Sequence, residues 1–276
     1  MKYHVTNFNL DDTVTCGQIF RYEKEDDNSY TIILSDRVIN VKYIKDTLYI
    51  DSNNMDNLEC IVKKYFDLDY DYDTINKIFL NIDNNNYRII DSCKGLKIIN
   101  EPRLEVIVSY ILSANNGVPQ IKSALNNISK KFGSKVMFKD KEYYLFPTLE
   151  QLKNASIQDF RDCKAGFRDK YIYEIIQRIV NKEFIVNNIE TMNSNDALNY
   201  LMSNKGIGEK VASCILLFGF HRLDVFPIDT WVKKYMKEKY DTDSIKDIRK
   251  IMSEKYKENC GLYIQYIFHY NRNKKI

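Results

Sequence analysis

The chain has 276 residues, 44% of them hydrophobic and 29% charged, with a formal net charge of +3. That is enough apolar mass for a packed core, in one large domain or two modest subdomains, and too little charge bias to establish a polyanion partner alone. No apolar run approaches about 18 residues, so no membrane span is expected. Met1-Lys2-Tyr3-His4-Val5 lacks the apolar core of a signal peptide, and a cytoplasmic location is expected.

Residues 3–50 read mostly as strands. Tyr30-Thr31-Ile32-Ile33-Leu34, Val38-Ile39-Asn40-Val41 and Thr47-Leu48-Tyr49-Ile50 are β-branched or aromatic with short polar breaks, which predicts a small antiparallel sheet. Within it, Thr15-Cys16-Gly17-Gln18-Ile19-Phe20-Arg21-Tyr22 reads as a strand entry with Gly17 at a bulge. Helical segments are expected near 55–66 and 73–81, and the polar tract Asp83-Asn84-Asn85-Asn86 separates them from the rest of the chain.

From about Tyr87 the chain is expected to be helical throughout. Leu104–Ala114, Ile121–Phe132, Arg168–Val180 and Ala197–Met202 carry helical apolar spacing, and Gly133–Thr148 reads as a loop bounded by glycine and proline. The predicted fold class is α+β. An N-terminal antiparallel β-sheet subdomain with helices, residues 1–98, precedes an all-helical region, residues 99–276. The break at about 86–100 is a boundary and not a flexible tether. Charge divides along the same line. Residues 1–100 hold 12 Lys/Arg against 17 Asp/Glu, a net of −5, and residues 205–276 hold 15 against 9, a net of +6. The C-terminal segment is the one suited to a polyanion.

That segment also holds the chemistry. Leu201-Met202-Ser203-Asn204-Lys205-Gly206-Ile207-Gly208-Glu209-Lys210-Val211-Ala212 reads as two helices joined by a tight hairpin. The second helix starts at about Glu209, so its free N–H groups face the hairpin, where a phosphate binds well. Lys210 sits in its first turn. Asp229, in Val225-Phe226-Pro227-Ile228-Asp229-Thr230, stands where a helix N-cap is expected. An amine and a carboxylate beside a phosphate-binding hairpin point to chemistry on a nucleic-acid backbone or its sugar. The six cysteines are scattered without a C-x-x-C pair, which argues against a zinc site or an iron–sulfur cluster.

Gly206-Ile207-Gly208 with Lys210 and the later Pro227-Ile228-Asp229 resembles the helix-hairpin-helix DNA glycosylases. Within them it is similar to the 8-oxoguanine DNA glycosylase/lyase family of eukaryotic type, in a shorter prokaryotic form. The resemblance implies that residues 99–276 are an HhH-GPD catalytic and DNA-binding region, with Lys210 as nucleophile and Asp229 as its carboxylate partner. It implies that the carbonyl of Gly17, in a Gly-Gln-x-Phe-Arg-aromatic segment, accepts a hydrogen bond from N7–H of the oxidised base. Cys214 and Phe268 would cover the two faces of the flipped base, with Pro227 beside it. On its own Cys214 reads as a core cysteine, one helical turn after Lys210. The same register puts Ile264 at the Watson–Crick edge, where the family has glutamine, and Gln265 is one position off.

The resemblance further implies DNA contacts. Asn115 and Asn116 would fill the gap left by the extruded base, although the residues alone read as a helix C-cap. Gln120 stands where eukaryotic members have an arginine that reads the opposite cytosine. Phe167 and Arg168 would wedge into the duplex, against the plainer reading of a buried Phe and a solvated Arg. Gly206, Gly208, Val211 and Trp231 complete the DNA-facing set. The implied partner is double-stranded DNA containing oxidised guanine, bound by a monomer at the nucleoid of a prokaryotic cell, with no metal, no other cofactor and no membrane. Lys210 would have to act as a neutral amine, its pKa depressed by the helix N-terminus and partial desolvation. A monofunctional glycosylase for alkylated bases, which needs no lysine here, and a non-catalytic helix-hairpin-helix DNA-binding module are the alternatives.

Overall fold

In the computed structural model, which describes residues 1–273, strands β1 (Lys2–His4), β2 (Tyr22–Lys24), β3 (Tyr30–Ile33), β4 (Val38–Ile44) and β5 (Thr47–Ser52) form one antiparallel sheet. Its order is β1-β5-β4-β3-β2, with Ile32 opposite Ile39 and Val41 opposite Ile50. Side-chain alternation sets the two faces. Tyr30, Ile32, Ile39, Val41, Leu48 and Ile50 turn into a core shared with Leu58 and Val62 of α2 (Leu58–Tyr65).

Two expectations for this region are corrected. A helix, α1 (Leu10–Thr15), interrupts the strands, because Asn9 caps it through the Asp12 N–H and Asp11 and Asp12 favour its first turn. The Gly17 segment therefore lies outside the sheet. It links α1 to β2, with Gly17 at φ +89°. Second, Gly133–Thr148 is not a plain loop. It contains the hairpin β6 (Lys135–Phe138) and β7 (Lys141–Tyr144). Ile33 and Val38, on the far face of the sheet, are covered by Phe138, Tyr143 and Leu145. The chain is thus not helical throughout after Tyr87.

The helices are α3 (Tyr72–Ile82), α4 (Tyr87–Ser92), α5 (Arg103–Ser113), α6 (Val118–Phe132), α7 (Leu149–Leu152), α8 (Ile157–Asp162) and α9 (Asp169–Val180). After them come α10 (Ser194–Met202), α11 (Glu209–Gly219), α12 (Thr230–Tyr240), α13 (Ile245–Tyr256) and α14 (Cys260–Asn273). Helices α5 and α11 pack together at the centre and are buried along most of their lengths. The tract Asp83–Asn86 joins elements rather than separating them. Asn86 is fully buried, accepts from the Tyr263 hydroxyl at 2.6 Å and donates to the Phe79 carbonyl at 2.9 Å. Phe79, Ile89, Cys93 and Leu96 accordingly lie in the helical core.

Candidate active site and DNA-facing surface

The hairpin between α10 and α11 is held from below. Gly206 takes φ +84°, and a Cβ there would lie 2.5 Å from Cγ of Tyr171, so only glycine fits. Arg178 donates to the Ser203 carbonyl at 3.1 Å, and the Ile207 N–H donates to the Asn204 carbonyl at 3.1 Å. Gly208 is the N-cap of α11, with nothing within 4 Å of where a Cβ would stand. The first intrahelical bond runs from the Ala212 N–H to the Gly208 carbonyl, so the Glu209, Lys210 and Val211 amides remain free for an anion. The Val211 side chain is buried in the core, and its amide is what it offers.

Lys210 is exposed on the first turn of α11, and Cys214 is buried one turn further on. Burial pushes the Cys214 thiol up to about 12, while the Lys210 charge pulls it down and the Asp229 charge pushes it up. One thiol therefore senses both expected catalytic residues. Asp229 caps α12, accepting from the Val232 N–H at 2.8 Å. Among the described residues nothing else bonds its carboxylate. Pro227 is half-buried just before it, and Trp231, on the first turn of α12, is exposed.

Gly17 lies beside α14. A Cβ on it would lie 3.7 Å from Cε1 of the Phe268 ring and 3.1 Å from Nη1 of Arg272. Residues that sequence reasoning passes over hold this segment. Gln18 is buried, donates to the Lys97 carbonyl at 2.8 Å and accepts from the Ile99 N–H at 2.9 Å. The Tyr110 hydroxyl donates to the Gln18 carbonyl at 3.1 Å and lies 3.4 Å from the Gly17 carbonyl. Tyr110 lies close enough to Cys214 for a thiolate there to oppose its ionisation, which ties the Gly17 segment to α11. Burial is the main cause of its raised pKa. Gln18 belongs to the quoted motif and was within reach of the sequence. Tyr110 sits in a plain apolar helix and gives no signal.

On α14, Ile264 is buried. Gln265 is buried, with its side chain near the Cys16 thiol. At the α5–α6 turn Asn115 is exposed with φ +50°. The Asn116 side chain caps α5, donating to the Leu112 carbonyl at 3.0 Å and accepting from the Gly117 N–H at 3.1 Å. Gln120 is exposed, with its Oε1 folded toward Gly117. Phe167 is exposed in the 3-10 turn Gly166–Arg168, and Arg168 is buried beneath it. In the free protein the Arg168 donors are turned to the Ala114 and Asn115 backbone carbonyls. Among the described residues no group of three or more His, Cys, Asp or Glu is placed to hold a metal ion. Among the same residues no helix is long and apolar enough to cross a membrane.

Residues 1–107 match the family model described as 8-oxoguanine DNA glycosylase, N-terminal domain, and residues 108–260 match that of HhH-GPD superfamily base excision DNA repair proteins. The chain belongs to the HhH-GPD superfamily of base excision DNA repair proteins. It is 31% identical over 195 residues to a probable N-glycosylase/DNA lyase of Methanothermobacter thermautotrophicus, covering 63% of this chain and 62% of that one. It is 28% identical over 219 residues to an N-glycosylase/DNA lyase of Saccharomyces cerevisiae, covering 75% of this chain and 58% of that one. The chain thus spans less than two thirds of the length of these curated relatives. The crystal structure of the Clostridium acetobutylicum 8-oxoguanine glycosylase/lyase, in complex with double-stranded DNA containing cytosine opposite 8-oxoG, is similar over the whole fold. Its TM-score is 0.92 at 36% identity, covering 100% of this chain and 99% of that chain.

Proposed function

We propose that this protein is a bifunctional DNA glycosylase/lyase that flips 8-oxoguanine out of duplex DNA, excises it and nicks the strand. The observation that carries the reading is Lys210, exposed at a helix N-terminus that no side chain caps, one turn from the buried Cys214. Flipping costs a few kcal/mol, which phosphate contacts at the free amides of α11 help to offset. The flipped base stacks between Cys214 and Phe268, with the Gly17 carbonyl at its N7 edge. Oxidised guanine offers N7–H there, whereas guanine offers an acceptor, and two facing acceptors cost about 1–3 kcal/mol.

Lys210 then attacks C1′ as a neutral amine. The C1′–N bond to lysine forms as the bond to the base breaks, and the base leaves with its electron pair and gains a proton. Asp229 stabilises the positive charge that develops on the sugar. Ring opening gives a Schiff base, and removal of a C2′ proton expels the 3′ phosphate. Lys210 is exposed in the free protein, so bound DNA is what withdraws water from it. The same reading places the protein in the cytoplasm of a prokaryotic cell, at the nucleoid, acting as a monomer.

Borohydride reduction of the imine is the test. The unmodified protein should be trapped covalently on an 8-oxoguanine duplex, and Lys210→Gln should bind that duplex without trapping or cutting. Trapping that survives the substitution would overturn the assignment of Lys210.

A further inference from the structure

Helix α14 runs alongside α1 and the Gly17 segment, and its side chains meet them on successive turns. Gln265 lies near the Cys16 thiol, the Phe268 ring and Nη1 of Arg272 lie against Gly17, and His269 faces Asp12. Gln265 and His269 stand four residues apart, as do Phe268 and Arg272, so two neighbouring stripes of one helix make these contacts. His269 is 4% exposed, and its Nε2 lies 3.2 Å from Oδ1 of Asp12. A ring protonated at Nε2 donates to Asp12 and leaves Nδ1 to accept from the Asn273 amide at 3.4 Å. The other Asp12 oxygen accepts from Nδ2 of Asn9 at 2.6 Å, and the Asp12 N–H donates to Oδ1 of Asn9 at 3.0 Å. One carboxylate oxygen thus serves the cap of α1 and the other faces α14.

The placement of α1 is passed on to Gly17. The Cys16 N–H donates to the Asp12 carbonyl at 3.1 Å, and Nε2 of Gln18 donates to that of Thr13 at 3.2 Å, so bonds to α1 bracket Gly17 on both sides. Helix α1 has six residues, too few to hold their place by backbone bonds alone. On α14, His269 directly follows Phe268. We propose that His269 and Asp12 are positioning residues. Their pair draws α1 against α14 and so sets where the Gly17 carbonyl stands relative to the Phe268 ring, the corner into which the flipped base fits. Both act through Gly17 and Phe268. This rests on the repair reading above for what enters that corner.

The test compares two reactions of one protein. Base excision needs the corner, whereas nicking of a preformed abasic site needs Lys210 and the hold on the backbone but no base. His269→Leu should lower single-turnover excision of 8-oxoguanine by about tenfold and leave nicking of an abasic duplex within about twofold. His269→Gln keeps a donor near Nε2 and should recover most of the loss. Asp12→Ala should lower excision by about tenfold in the otherwise unaltered protein, and by less than about twofold when His269→Leu is already present. Unaltered excision, equal losses of excision and nicking (as a merely destabilising change gives), no rescue by glutamine, or additive losses would each overturn it. Amide exchange at Thr13 and Cys16, whose N–H groups close α1, should rise in His269→Leu more than elsewhere in the free protein. Exchange needs no catalysis, so it separates the two ideas. An unmodified protein that excises nothing refutes the repair reading, and exchange alone then decides the pair, with unchanged protection overturning it.

Discussion

Two oxygens of one carboxylate carry different duties at Asp229. Oδ1 caps α12 through the Val232 N–H, and the other oxygen has no protein partner among the described residues. Asparagine caps a helix as well as aspartate does, so Asp229→Asn removes charge and spares the cap. Single-turnover base excision should fall by at least about tenfold, roughly 1.4 kcal/mol, with the unfolding midpoint unchanged. An unaltered rate would reduce Asp229 to a helix cap. Gln120 makes the opposite kind of case, a residue notable for what it lacks. A neutral amide both donates and accepts, so it adapts to several bases, whereas arginine offers only donors. Excision opposite cytosine should be favoured over adenine, guanine or thymine only weakly, and Gln120→Arg should sharpen that preference by about tenfold. Rates on four duplexes differing only in the opposite base measure both, and a steep cytosine preference before the change would show that another residue reads it.

The two hairpin glycines of the α10–α11 element serve different ends. Gly206 has a positive φ and the Tyr171 ring against it, so Gly206→Ala should cost about 2–4 kcal/mol by denaturant unfolding. Gly208 has extended φ and open space, so Gly208→Ala should cost less than about 1 kcal/mol, the difference between glycine and alanine as caps. Equal costs would mean that the Tyr171 contact is not what selects glycine. The α10–α11 hairpin is legible in sequence because its signals are local: a glycine pair, a lysine two residues on, and an aspartate after proline. The β6–β7 hairpin is not. Its tight turn is Lys139-Asp140, both at positive φ without a glycine, and the bounding glycine and proline make the segment read as a loop. Tyr110 is illegible for another reason. Its hydroxyl donates to a backbone carbonyl far away in sequence, and no spacing records such a contact.

Across the whole molecule, a buried polar cluster marks where sheet, β6–β7 hairpin and helical core meet. Arg21 lies 3.3 Å from Glu105 of α5 and donates to the Tyr144 carbonyl of β7, while the Tyr65 hydroxyl of α2 donates to Glu101 at 2.9 Å. Burial raises the Glu101 pKa well above 4.5, and the neighbouring Glu105 charge raises it further. The folded protein therefore holds a proton that the unfolded chain releases above about pH 4.5, so this group's contribution to stability falls as pH rises from there toward the folded value. Glu101→Gln keeps an acceptor for Tyr65 and removes the ionisation. Its thermal midpoint should match that of the unmodified protein near pH 5 and exceed it by about 3 °C or more at pH 8. Parallel profiles would place the pH dependence elsewhere.

The raised pKa of Cys214 has a consequence for survival under oxidants. At about 12, only about one thiol in 10⁵ is ionised at pH 7, and the ionised form is the one that peroxide attacks. Cys16, near 11 and equally buried, shares this inertness, while Cys60 is the one cysteine among the described residues exposed to solvent. On the proposed reading, the sulfur that faces the oxidised base is thus one whose reactive thiolate is scarce at neutral pH.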